Sequence, residues 1–184
     1  MEHVQWARNL ARGLLEVELP IRWAHTQGVA RAAESIADIV DGDAKTLICA
    51  AWLHDIGYCL EVDRVGFHPL DGARYLRNLH GANDRLCRLV AHHSCAVIEA
   101  ENRGLAKELL AEFPPVNGLI ADALTYCDMT TSPQGEPVDI DGRLSEILGR
   151  YGKGSIVAES IERARPEIER SARAVEAAVA QRRG

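Results

Sequence analysis

Seven apolar residues, Leu47-Ile48-Cys49-Ala50-Ala51-Trp52-Leu53, run without a break into His54-Asp55-Ile56-Gly57. The run is too short to span a bilayer. It fits a helix buried nearly all round, or a central strand. On either side the pattern is helical. Trp6, Leu10, Leu14 and Val17 recur at helical spacing over residues 3–18. Pro20 restarts the chain, and Val29, Ala33, Ile36 and Val40 stripe a second helix that runs to about Val40. Asp41-Gly42-Asp43 reads as a turn, with Asp43 an N-cap for the helix that carries His54 and Asp55 and Gly57 its C-cap.

A loop is expected from Tyr58 to about Phe67. His68-Pro69 then opens a helix with Ala73, Leu76 and Leu79 on its apolar face, closed by His80-Gly81. Residues 83–94 place Leu86, Leu89, Val90 and His93 on one stripe. A short helix over 104–112 precedes Phe113-Pro114-Pro115, and the next begins near Val116, with Leu119, Ile120, Ala123, Leu124 and Cys127 facing in. Asp128 follows at the end of that stripe. The breaker-rich stretch 131–140 reads as a loop, helices follow over 141–150 and 155–164, and Pro166 starts or kinks the last one. The tail from Gln181 to Gly184 is expected to fray. With no internal repeat and no strand pattern, the fold class is an all-α helical bundle, and the length of 184 residues predicts a single domain.

Composition narrows the function classes. Apolar residues make up 47% of the chain, so it packs a core. A net charge of −6 argues against a nucleic-acid polymer as partner, and no segment reaches the length of a membrane span. The start Met-Glu-His lacks a basic-then-apolar leader. The five cysteines are odd in number and form no Cys-x-x-Cys, which points away from a disulfide framework and toward a reducing, cytoplasmic setting. No Cys-His signature marks a catalytic thiol.

The polar residues that interrupt buried stripes carry the chemistry. His25, His54, Asp55 and Asp128 fall on three separate predicted helices, and His68, His92 and His93 form a second group. Imidazoles beside carboxylates are a common way to hold a divalent metal. Neighbours on a helix sit ~100° apart and can bend to one centre, whereas on a strand they point to opposite faces. The His54-Asp55 pair is therefore usable only if the run before it is helical. Arg22 lies one turn before His25 on the same face and could grip a phosphate bidentately. Taken singly, each residue has a plainer role: a buried histidine is most often a hydrogen-bonded core residue, and Arg22 could pair with a surface acid. His3 and His80 read as surface or turn residues. Glu99, Glu101, Asp139 and Asp141 read as solvated charges. The stripe Ile156, Ile161, Ile168, Val175 and Val179 reads as core or as a contact with a second copy of the chain.

The ordered set His25, His54-Asp55, Asp128 resembles the signature of the HD superfamily of metal-dependent phosphohydrolases, over roughly residues 20–130. The resemblance implies an all-α bundle in which His25, His54, Asp55 and Asp128 hold one metal. It also implies that Asp55 bridges to a second metal held by His68, His92 and His93; some two-metal members use only one histidine of the late pair. The implied cofactors are one or two of iron, manganese, cobalt, nickel or zinc. The implied activity is hydrolysis of a small phosphorylated compound, a nucleotide foremost, by water that the cations acidify, with Asp55 and Arg22 as the residues acting in catalysis. Two departures separate the chain from the cyclic-dinucleotide phosphodiesterase subgroup: Tyr58 stands where that subgroup has lysine, and Ser94-Cys95-Ala96 follows the histidine pair in place of Gly-Tyr-Pro. The competing readings are a binding or regulatory module that keeps the ligands without turnover, and a di-iron oxygenase.

Overall fold

The computed structural model describes residues 4–184, so His3 lies outside the described residues. The first helix, α1 (Val4–Leu15), buries Ala7, Ala11, Leu14 and Leu15, while Trp6 and Leu10 are only half-buried on its flank. The face is set by small residues because α1 packs closely on the apolar run. The chain turns at Glu16, so Val17 does not continue the stripe and is 86% exposed.

Helix α2 (Pro20–Ile36) starts with its proline in the first turn, where a missing N–H costs nothing. It ends four residues before Val40, and Ala37–Asp43 forms a 3₁₀ segment in which Asp41 takes a positive φ of 45°. The apolar run is helical: α3 (Ala44–Leu53) buries Leu47, Cys49, Ala50, Ala51, Trp52 and Leu53. Asp43 occupies its N-cap position but caps nothing, because its carboxylate is bound by the Arg85 guanidinium instead.

Gly57 is not the C-cap of α3. It lies in a 3₁₀ turn over Ile56–Tyr58, and a Cβ there would sit 2.0 Å from the His68 carbonyl oxygen. The glycine serves close approach, and it lets the start of α4 (His68–His80) press against the end of α3. The buried Asp71 carboxylate accepts the backbone N–H groups of Val65 and Phe67, which fixes the loop leading into α4. Leu70, Ala73 and Leu76 form the inner face of α4; Leu79 is 70% exposed and does not belong to it. Gly81, at φ +56°, terminates the helix in the left-handed conformation that glycine takes freely.

Helix α5 (Asp84–His92) is capped by the Asn83 side chain, which accepts from Arg85 N. It stops before His93, and Ser94 and Cys95 both adopt positive φ. That turn starts α6 (Ala96–Arg103), a helix absent from the sequence expectation; α7 (Ala106–Glu112) follows. Helix α8 (Leu119–Met129) begins three residues later than Val116. The 131–140 loop is pinned by a bridge between Thr131 and Pro137 and by Gly135, which packs on Gly28 of α2.

Asp139 is an N-cap and not a merely solvated charge: it accepts from Gly142 N at the start of α9 (Ile140–Tyr151). Asp141 pairs with Arg165. The last helix, α10 (Ile156–Arg183), is one 28-residue element; Pro166 lies inside it and does not start it, and the tail is helical to Arg183. Ala164 and Ile168, on either side of that proline, are buried with Met129, Leu144 and Ile147, and this packing holds the helix together across the lost hydrogen bond. Helix α10 lies along α8 and α6, so α9 and α10 cover one side of the bundle. Among the described residues there is no strand, and no helix is long and apolar enough to cross a membrane. The fold is all-α.

Candidate metal centre

The site residues sit where helices end. His54 is the C-cap of α3, His68 the first residue of α4, His93 the C-cap of α5, and Asp128 the next-to-last residue of α8; His25 projects from the middle of α2. Two sets of ligand atoms lie close enough for each to hold one ion: His25, His54 and Asp128, and Asp55, His68 and His93. All six residues are buried except His68, which is partly so.

The hydrogen bonds on the outer ring nitrogens orient the imidazoles. His54 Nδ1 donates to the Ala51 carbonyl at 2.8 Å, and His93 Nδ1 donates to the Val90 carbonyl at 2.7 Å, each one turn back along its own helix. His25 Nδ1 donates to the Ser132 carbonyl at 3.1 Å. These tautomers follow from the bonding network, and each leaves an Nε2 lone pair aimed inward.

The inward nitrogens meet one another and the carboxylates at short range. With Nδ1 committed, His25 Nε2 and Asp128 Oδ1, 3.0 Å apart, need a proton or a cation between them. His54 Nε2 is completely buried and has no hydrogen-bond partner among the described residues, although Asp55 Oδ2 lies 3.3 Å away. His68 Nε2 and His93 Nε2 are 3.1 Å apart. Ligand atoms converging at this range, with His54 Nε2 buried and unpartnered among the described residues, make a site for a cation. The donor set, imidazole with carboxylate, suits divalent transition metals.

Asp55 joins the two sets. Its Oδ2 lies 3.3 Å from His54 Nε2 and 3.9 Å from His25 Nε2, and its Oδ1 lies 3.5 Å from His68 Nε2 and 4.0 Å from His93 Nε2. Arg22 Nη1 donates to Oδ2 at 2.8 Å, and the Arg22 guanidinium lies over the Tyr58 ring at 4.0 Å. Tyr58 in turn stacks on His68, with ring centroids 3.9 Å apart, which holds that imidazole in place.

Charge in the centre follows from burial and neighbours. Burial alone would raise the Asp55 carboxyl, but Arg22 and His54 reverse this and hold it well below the usual range. Burial likewise opposes ionisation of Asp128, and the bond to His25 and the charge at His54 again prevail. Burial lowers His68 well below its ordinary value and lowers His93 as well, so both favour the neutral form that binds metal. At His54 burial also acts downward, yet Asp55 beside it raises the net value: the centre draws positive charge to Nε2, as a proton or a cation.

His92 does not join these groups. The helix ends between the two histidines, so His93 turns inward, while His92 Nε2 donates to the Phe113 carbonyl at 2.5 Å. Three contributors were not expected as site residues from the sequence. Ser94 donates its hydroxyl to Asp128 Oδ2 from a positive-φ turn. Arg143 reaches from α9 to within 3.8 Å of Asp128 Oδ1. Tyr58 supports His68 and Arg22. Glu99, expected as a solvated charge, lines the cleft over the centre and pairs with Arg103. His80 packs its ring on Tyr75 and Trp6 at the end of α4. None of the five cysteines is bonded to another; Cys95 lines the cleft, and burial pushes its thiol up to about 11, which leaves it a poor nucleophile.

An all-helical frame that turns histidines and aspartates from α2, α3, α4, α8 and the end of α5 toward one closed point defines a candidate divalent-metal protein. A family model of the HD domain matches residues 22–130, and the chain belongs to that family, a superfamily of metal-dependent hydrolases. All seven histidines and aspartates singled out from the sequence lie within the matched stretch, whereas Arg143 lies outside it. No curated protein and no solved structure matches the chain.

Proposed function

We propose that the protein is a metal-dependent phosphohydrolase cleaving a phosphate ester or anhydride of a small, nucleotide-class compound, with water as the nucleophile. The observation that carries this reading is the position of Asp55: one carboxylate with an oxygen toward each of two ligand sets and an arginine bound to its side. In this reading His25, His54 and Asp128 would hold one cation, and Asp55, His68 and His93 a second. When bound, such cations neutralise the phosphoryl oxygens and acidify water at neutral pH.

The chain's own groups do the rest. The Nδ1 bonds of His25, His54 and His93 fix the rings, and Ser94 fixes Asp128. Arg22 is tied to Asp55 through Nη1 and keeps further N–H groups for the phosphoryl oxygens. Tyr151 lines the cleft, 36% exposed, with the Arg150 guanidinium 4.9 Å from its ring centroid. The cleft over the metal centre has a volume of about 90 Å³, room for a phosphoryl group, so the rest of a nucleotide would lie outside it.

The test is to strip the protein of metal and restore manganese, iron, cobalt, nickel and zinc in turn. Each form is then screened against phosphomonoesters, dinucleoside polyphosphates and cyclic nucleotides. Turnover that depends on metal and disappears in Asp55→Ala is the expected result. Full activity in Asp55→Ala would remove the proposal. Metal binding with no turnover of any substrate would mark a regulatory module instead.

A further inference from the structure

Helix α9 brings two arginines to the mouth of the metal cleft. Arg143 and Arg150 are seven residues apart, two turns on one face of the helix. Both line the cleft over the metal centre, and both line an adjoining groove of about 310 Å³ walled by Leu19, Pro20, Ile21 and Pro133. Arg22 lines both spaces as well. Three guanidinium groups therefore stand at the junction between the site where a phosphoryl group would react and the groove where the rest of a substrate would lie.

Arg143 is 4% exposed, and its Nε has no hydrogen-bond partner among the described residues. A buried guanidinium N–H left unpaired is costly unless a ligand completes it. The two arginines share one carboxylate: Glu146 accepts from Arg143 Nη1 at 2.6 Å and lies 3.3 Å from Arg150 Nε. Asp128, 3.8 Å from Arg143, belongs to the metal centre, and Glu99 is paired with Arg103. Glu18 also lines the groove, bonded to the Cys59 thiol.

We infer that Arg143 and Arg150 bind a second anionic group of the substrate, adjacent to the phosphoryl group held at the metal centre beside Arg22. The inference rests on the phosphohydrolase reading and names its substrate class: a compound with two neighbouring anions, such as a diphosphate or a phosphate beside a carboxylate. Because both arginine heads reach the same carboxylate, they lie close enough to clamp one further anion between them. The apolar walls of the groove would take the uncharged remainder.

The test is calorimetric titration of the manganese-loaded full chain with methylenediphosphonate and with inorganic phosphate. The wild-type chain should bind the diphosphonate at least about tenfold more tightly. Arg150→Gln, at a partly exposed position that leaves the core intact, should reduce that preference to about twofold or threefold. Glu146→Gln, which frees both arginines, should increase it. A preference that survives Arg150→Gln would come from chelation at the metals alone and would overturn the inference, as would equal weakening of both probes. The catalytic reading fails separately. A chain that shows the preference but hydrolyses no phosphate ester would keep the clamp and sink the enzyme. An active chain without the preference would do the reverse.

Discussion

Gly57 and His68 touch so closely that a methyl group on residue 57 would overlap the His68 carbonyl, at 2.0 Å from its oxygen. Eleven positions apart in the chain, the two residues clamp the start of α4 to the end of α3, and this contact sets His68 opposite Asp55. Gly57→Ala must push α4 away. The expected cost is about 1–3 kcal/mol of stability or more, because the obstacle is backbone and cannot rotate aside. Metal content should fall toward the single ion that His25, His54 and Asp128 could hold without His68. Thermal unfolding and metal analysis of the same sample check both parts.

The two adjacent histidines should behave differently. His93→Gln removes an inward Nε2 and should lower metal content and turnover together. His92→Gln removes a bond to the Phe113 carbonyl, costing about 1–3 kcal/mol, and should leave metal stoichiometry unchanged. Equal metal loss in both variants would contradict the geometry at the end of α5.

Acid should weaken the metal-free fold in a stated window. His68 and His93 have values depressed below 6.5 by burial, and in His68 by His93 next to it. A group depressed in the folded state contributes stability that is present above 6.5 and lost as pH falls through the lowered value. His54 is raised and works in the opposite sense, adding stability below 6.5 and losing it as pH rises through its folded value. The chelator-treated protein should thus lose stability on the acid side of pH 6.5, and His68→Gln should flatten that loss. Unfolding midpoints measured between pH 5 and pH 8 give the slope directly.

Thiol chemistry gives a check independent of metal. Cys49, Cys59, Cys87 and Cys127 are buried, and Cys95 is only partly so, with its thiol raised to about 11. A disulfide reagent at pH 8 should label the native chain slowly at Cys95 alone, faster as pH rises toward 11. All five should react after denaturation. Rapid labelling of several thiols under native conditions would show that the helices do not pack as described.

Helix periodicity alone located most of the bundle, because an amphipathic stripe is a local property of the chain. It placed His25, His54, Asp55 and Asp128 near buried stripes and His93 at the end of one with His92 beside it, while His68 was marked by the proline that follows it at a helix start. It failed where packing overrode local preference. Val17 and Leu79 fit their stripes by spacing but face solvent, Val17 because the chain turns at Glu16 and Leu79 because α4 buries Leu70, Ala73 and Leu76 instead. Pro166 lies inside an unbroken helix because neighbours on α8 and α9 hold both sides of it.

Residue types and their order along the chain determined the all-α class, the family and the set of candidate ligands, since each depends on spacing that is written in the chain. Only the tertiary structure decided that His93 and not His92 turns inward, that Asp55 faces both ligand sets, and that Arg143 arrives from a helix beyond the family match. Those outcomes depend on where one helix stops and on how distant helices cross, and no local pattern encodes either.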